Sequence, residues 1–247
     1  MLYSERFYRR YHRQEDLVHF RVVVKETDLD IAVRQERFSE EIARIAKKTV
    51  EKCRRPLEEY IRRDPAFLQA LAPYEVPADA PPIVLEMTRA AKAAGVGPMA
   101  AVAGAIAECV GRVLCRYSRD VIVENGGDIF LKISRTRRVG IFAGKSPFSY
   151  RLALEIRPDF GPLGVCTSSG TVGHSLSFGK ADAVVILSSS AALADAVATA
   201  AGNLVQTCTD VQAAVDFALS IPGVRGAVAI KDDLLAARGY VKLVPAG

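Results

Sequence analysis

A chain of 247 residues, half apolar and a quarter charged, is long enough to bury a full core and has the composition of an ordered globular protein. Its formal net charge of +5 is modest for this length, and the basic residues before Tyr74 are mixed with Glu15, Asp16, Glu40, Glu41, Glu58 and Glu59. That reads as a solvated, ion-paired surface and excludes a dedicated nucleic-acid track. Five cysteines, odd in number and without a Cys-x-x-Cys pair, argue against a disulfide framework and a zinc knuckle, so reduced thiols and a cytoplasmic location are expected. The polar, basic start MLYSERFYRRYHRQED carries no apolar leader, and no later run reads as a membrane span.

In chain order, LVHFRVVVK (17–25) and LDIAV (29–33) read as two strands joined by a Glu-Thr-Asp turn. Residues 35–63 space Phe38, Ile42, Ile45, Ala46 and Val50 as a helix, with a break or kink expected at Pro56. A proline-punctuated connector (65–82) leads to helices over 83–94 and about 99–117, separated by Gly-Val-Gly-Pro. A meander follows, with strands at 121–124, 128–133, 139–143, 150–156, 163–167 and 182–187. Helices over 191–202 and 210–219 and strands at 226–231 and 240–244 complete the chain. The short loops between strands predict antiparallel pairing and an α+β class, with helical pairs layered on one face of a large sheet. The order "two strands, two helices, two strands" occurs twice. It suggests a single domain over 1–247, built either as one unit or from two intertwined halves, about 1–134 and 135–247.

Several residue groups have the chemistry of a ligand site. Asp195 and Thr199 stand at i and i+4 in a helix of mostly alanine, so both oxygens project from one face. A hard cation such as Mg²⁺ takes such ligands together with water or phosphate; a solvated helical Asp is the plainer alternative. CTSSG (166–170) follows a strand and offers amides and hydroxyls that can cradle a phosphate, or form an ordinary Ser/Gly loop. His174, between Gly173 and Ser175, is a candidate general acid or base. Asn125, Gly126, Gly127 and Asp128 join two strands with standard hairpin residues, and their flanking acids also suit a ribose or flavin edge. Cys53, in EKCRR, has neighbouring cations that would favour its thiolate, and Cys166 is a second candidate thiol. Cys109 and Cys115 read as core.

Taken together, GAIAECVGRVL (104–114), ENGGDIF (124–130), TSSG (167–170) and ADAVATA (194–200) resemble landmarks of the ApbE superfamily in its compact prokaryotic branch. ERFYR (5–9), VKETDLDI (24–31), AGVGPMAAVAGAIAE (94–108) and GTVGHSLSFGKADAVV (170–185) extend the resemblance over the whole chain. It implies a duplicated, T-fold-like arrangement and a relationship to FAD:protein FMN transferases, which use Mg²⁺ to split the FAD pyrophosphate and attach FMN to a threonine of an acceptor protein. By the same resemblance, Asp195 and Thr199 would be magnesium ligands. Thr167, Ser168, Ser169 and Gly170 would form the flavin-site turn, with Asn125, Gly126, Gly127 and Asp128 as the glycine-pair loop. His174 would be the catalytic histidine.

Departures from the family pattern are specific. Glu108 stands where the family's Ala-Lys-Gly-Tyr has its lysine, and only Gly173-His174-Ser175 remains of a His-x-x-Asp-Pro segment. Lys25-Glu26-Thr27 replaces Met-Gly-Thr, and the family's lipoprotein leader is missing. Three functions are therefore expected as alternatives. One is a flavin transferase or pyrophosphate-cleaving enzyme binding FAD or a related nucleotide with Mg²⁺. Another is a cytoplasmic sulfur-assimilation protein of the sulfide or homocysteine pathway, using Cys53 or Cys166 as a persulfide carrier. The third is a non-catalytic nucleotide-binding module. The expected partners are a nucleotide-like small molecule and a protein acceptor, with no nucleic acid and no membrane; the oligomeric state stays open, a homodimer included.

Overall fold

The computed structural model describes residues 16–172 and 177–246. Strands β1 (Leu17–Val24) and β2 (Thr27–Arg34) form the first hairpin. Its turn places Lys25 at φ 53, so that β1 ends at Val24, one residue earlier than expected, while β2 extends beyond the expected 29–33 at both ends. Helix α1 (Glu40–Arg63) starts at Ser39, whose hydroxyl accepts from the Ile42 amide at 3.4 Å.

The break expected at Pro56 does not occur: α1 continues through it to Arg63. The buried stripe of Ile42, Ala46, Thr49, Val50, Cys53 and Leu57 runs past the proline on both sides, and its packing outweighs one lost backbone hydrogen bond. A short helix α2 (Pro65–Gln69) occupies part of the connector. Helix α3 (Pro82–Ala94) ends at Gly95, which takes φ 75 as a left-handed cap. A 3-10 turn at Pro98–Ala101 then leads into α4 (Val102–Leu114).

The remaining elements are β3 (Val121–Asn125), β4 (Asp128–Lys132), β5 (Arg137–Gly140), β6 (Leu152–Ile156), β7 (Leu163–Ser168), β8 (Ala183–Ser188), α5 (Ala191–Leu204), α6 (Val211–Ser220), β9 (Val224–Lys231), β10 (Leu234–Gly239) and β11 (Leu243–Pro245). The expected strand over 240–244 is in fact the short β11. The sequence reading missed β10, because LLAARG carries little β-branched character.

Eight strands pair antiparallel in the order β1-β2-β3-β4-β7-β8-β9-β10. Each outer set of four is a hairpin, a group of helices and a second hairpin, and the two sets meet where β4 pairs with β7. Strand alternation sends one side chain set toward the helices and the other toward a three-stranded sheet of β11, β6 and β5. Phe130, Cys166, Val184 and Ile186 lie in the helix-side core; Leu131, Val165, Ala183 and Val185 lie in the other. Helix α5 packs on β7 and on α3, α4 and α6. Close approach is possible because Gly164 of β7 has no Cβ: one there would overlap the backbone of Ala191. This brings the start of α5 onto the middle of the sheet.

Among the described residues no single helix is long and apolar enough to cross a membrane.

Candidate functional site

The β3–β4 turn sits at the centre of the site. Gly126 and Gly127 take φ 71 and 106, values that favour glycine. They leave Asn125 and Asp128 paired across the hairpin. Both flanking residues are buried although polar. Asn125 donates through Nδ2 to the Ala103 carbonyl at 3.1 Å, and the Glu124 carboxylate accepts from the Gly127 amide at 2.7 Å. The turn is therefore fastened to the start of α4, not free at a sheet edge.

Helix α5 meets the same point. The Gly104 amide donates to Asp195 Oδ2 at 2.8 Å, so consecutive residues of α4, Ala103 and Gly104, hold the turn and the helix together. A Cβ at Gly104 would collide with the Ala191 carbonyl, and the early-helix glycine is what admits this contact. Thr199 follows Asp195 by one turn, and both are half-buried on α5.

Two carboxylates thus share one poorly solvated place. Burial pushes Asp195 up to about 7 against the lowering effect of the Gly104 and Ala103 amides. Asp128 is only 7% exposed and is held well above the usual carboxylate range. Burial is the main cause and the Asp195 charge the next, opposed by the Cys166 thiol and the Thr167 amide. Among the described residues no lysine or arginine acts on either acid, and Asp128 Oδ1 is buried with no hydrogen-bond partner among them.

The end of β7 supplies the third wall. Thr167 and Ser168 close the strand, half-buried. The Ser169 hydroxyl accepts from the amides of Thr171 and Val172 at 3.1 and 3.0 Å, a tight hydroxyl-capped turn. Gly170 donates its amide to the Ala181 carbonyl at 2.9 Å. The expected residues Asn125, Gly126, Gly127, Asp128, Thr167, Asp195 and Thr199 therefore lie on elements that converge here. His174 falls outside the described residues, as does the ERFYR segment.

The cysteine expectations need correction. Cys53 is not an activated thiol: it is buried on α1 and joined to Cys109 of α4 in a disulfide. The cations beside it in sequence have no thiolate to stabilise. An odd cysteine count does not preclude one bridge, and the inference from it to reduced thiols fails. Cys166 is also unsuited to persulfide carriage. It is fully buried, its Sγ faces the Ala191 carbonyl at 3.3 Å, and burial together with the Asp128 and Asp195 charges pushes the thiol up.

Glu108 has a role that its sequence position did not suggest. Its carboxylate accepts from the Ala191 amide at 2.6 Å and from the Ser190 hydroxyl at 3.2 Å, while Arg112 Nε donates to it at 2.8 Å. It thereby occupies the N-terminus of α5, where an anion is favoured. The signal for this was an acid inside an otherwise apolar helix.

Among the described residues no group of three or more His, Cys, Asp or Glu could hold a metal. The oxygen donors that stand on one face of α5 are the Asp195 carboxylate and the Thr199 hydroxyl, residue types that Mg²⁺ takes together with phosphate and water.

Comparison with known proteins defines the class first. The fold is shared with the flavinyl transferase ApbE of Pseudomonas stutzeri in its apo form, at a TM-score of 0.57 and 12% identity over 90% of this chain and 94% of that one. A mutant of the flavin transferase ApbE from Vibrio cholerae gives 0.56 and 15% over 90% and 97%. The likeness to both is one of fold. More narrowly, the chain belongs to the family described as AbpE bacteria, whose model matches residues 9–228. Its relatives include UPF0280 proteins of Methanocella arvoryzae, 48% identical over 77% of this chain and 78% of the relative, and of Methanopyrus kandleri, 44% identical over 89% of each.

Proposed function

We propose that this protein binds FAD or a related nucleotide together with Mg²⁺ and acts as a flavin (FMN) transferase or pyrophosphate-cleaving enzyme. The observation that carries the reading is the meeting of the Asn-Gly-Gly-Asp turn, the end of β7 and helix α5 around Asp128 and Asp195, on a fold shared with flavin transferases. Asp195 and Thr199 would hold the metal, which when bound supplies charge neutralisation at a phosphate. Thr167, Ser168, Ser169 and Gly170 would orient the nucleotide through hydroxyls and amides. Gly126 and Gly127 keep the turn free of side chains, so that the backbone can approach the ligand. His174 is assigned the movement of a proton at the reacting group, and a threonine-bearing protein is the acceptor. A cytoplasmic location belongs to the same reading.

One observation favours a second reading, a nucleotide-binding module without transfer. Glu108, in place of the family's lysine, holds a negative charge at the start of α5, where a cation would otherwise assist a departing phosphate. Titration of the purified protein with FAD in the presence and absence of Mg²⁺, followed by assay for AMP, separates the two. Mg²⁺-dependent binding with AMP release supports the enzyme, and binding without AMP supports the module. Absence of any Mg²⁺-dependent nucleotide binding would remove both.

A further inference from the structure

We propose that Asp128 is a third protein donor to the cation held by Asp195 and Thr199, so that the β3–β4 turn is a metal-holding loop and not a flavin-edge loop. The inference rests on the reading of this place as a cation site and assigns a residue within it.

Position and solvation support it. Asp128 is more than nine-tenths buried, and among the described residues its Oδ1 meets no hydrogen-bond donor. A buried carboxylate oxygen without a donor is a rare and costly arrangement in folded proteins. Its other contacts, the Thr167 amide and the Cys166 thiol, already serve the carboxylate, and Asp195 and Glu124 approach as further acidic groups with no lysine or arginine among the described residues acting on the pair. A divalent cation with oxygen ligands satisfies both conditions at once, because it takes the lone pair and screens the repulsion.

The geometry is also preorganised. Asn125, paired with Asp128 across the turn, is anchored on the Ala103 carbonyl at 3.1 Å, while the adjacent Gly104 amide fixes Asp195 at 2.8 Å. One short piece of α4 therefore sets the separation of the two carboxylates, and the positive φ of Gly126 and Gly127 gives the turn little latitude to change it. A flavin edge needs donors aimed outward. Here the carboxylate is buried against the Cys166 thiol and the Thr167 amide of β7, within the field of Asp195.

Mn²⁺ as a paramagnetic substitute for Mg²⁺ tests this by room-temperature electron paramagnetic resonance on the full chain, with and without FAD. The wild type is expected to bind Mn²⁺ competitively with Mg²⁺, and D195N to abolish binding. D128N is expected to weaken it at least tenfold while its melting temperature in EDTA stays at or above that of the wild type. Unchanged Mn²⁺ affinity in D128N, with D195N inactive in binding, would overturn the assignment of Asp128 and leave the cation site standing. No Mn²⁺ binding by the wild type under either condition would overturn the cation site, and this inference with it. If D128N does not fold, N125A decides: it keeps both carboxylates but frees the turn from Ala103, and a several-fold loss of affinity is expected. An unchanged affinity there would count against the proposal.

Discussion

Two buried charge clusters stand at opposite ends of the β3–β4 hairpin and differ in their electrical balance. At one end Asp120, fully buried, accepts from the Ser134 amide and hydroxyl at 2.6 and 2.7 Å and lies 3.6 Å from both Arg34 and Arg137. Arg137 in turn grips Asp16 with two hydrogen bonds of 2.6 and 2.8 Å. At the other end Asp128 and Asp195 lie together with amides, a thiol and the Glu124 carboxylate acting on them, and no lysine or arginine among the described residues. The first cluster is matched, acid for base, and closes the fold. The second leaves negative charge uncompensated, the condition expected where a ligand is to supply the missing cation. Burial alone does not mark a site; unmatched burial does.

The comparison can be broken most forcefully at the matched end. Arg137→Met leaves Asp120 and Asp16 without their shared partner and should cost about 3–5 kcal/mol, read from urea denaturation; a loss below about 1 kcal/mol would mean the cluster is not structural. Glu108→Ala removes the carboxylate that caps α5 and leaves the Ala191 amide unpaired. A loss of about 1–3 kcal/mol is expected, and Mg²⁺ binding should weaken as Asp195 shifts with its helix.

Opposite pH responses sharpen the contrast. Asp195, raised from 3.8 to about 7, binds a proton in the folded state that the unfolded chain has already released. Metal-free stability should therefore fall as pH rises from about 4 to about 7, by roughly 3–4 kcal/mol. Asp195→Asn should flatten that slope and raise stability at pH 8 without metal; an unchanged slope would show that Asp195 does not carry it. Asp16 is lowered from 3.8 to about 2 by Arg137, so its contribution is complete above about pH 4 and is lost as pH falls toward 2. In Arg137→Met that acid limb should disappear. The smallest effect is expected at the turn. Gly127→Ala, at φ 106, should cost about 1–2 kcal/mol and reduce cation affinity by displacing Asp128; equal affinity would show the turn to be tolerant.

Much of the site was legible because it was local. Gly126 and Gly127 announce a hairpin by their own backbone freedom, and Asp195 and Thr199 share a helix face by spacing alone. What escaped was non-local. Cys53 has cations beside it in sequence and a disulfide partner across the helical layer, and the neighbours along the chain do not report that distance. Glu108 read as a lost lysine, whereas in the fold it caps another helix. Pro56 read as a break, but a buried stripe on both sides of it keeps α1 continuous.

The sequence by itself determined most of the elements, the antiparallel α+β class and the residue types that gather at the site, because alternation, helical spacing and turn chemistry act over a few residues. Only the tertiary structure decided that Asp128 and Asp195 meet, that Ala103 and Gly104 hold them there, and that among the described residues no lysine or arginine joins them. Desolvation and charge repulsion depend on what packs across the sheet, and that is fixed by contacts between distant parts of the chain.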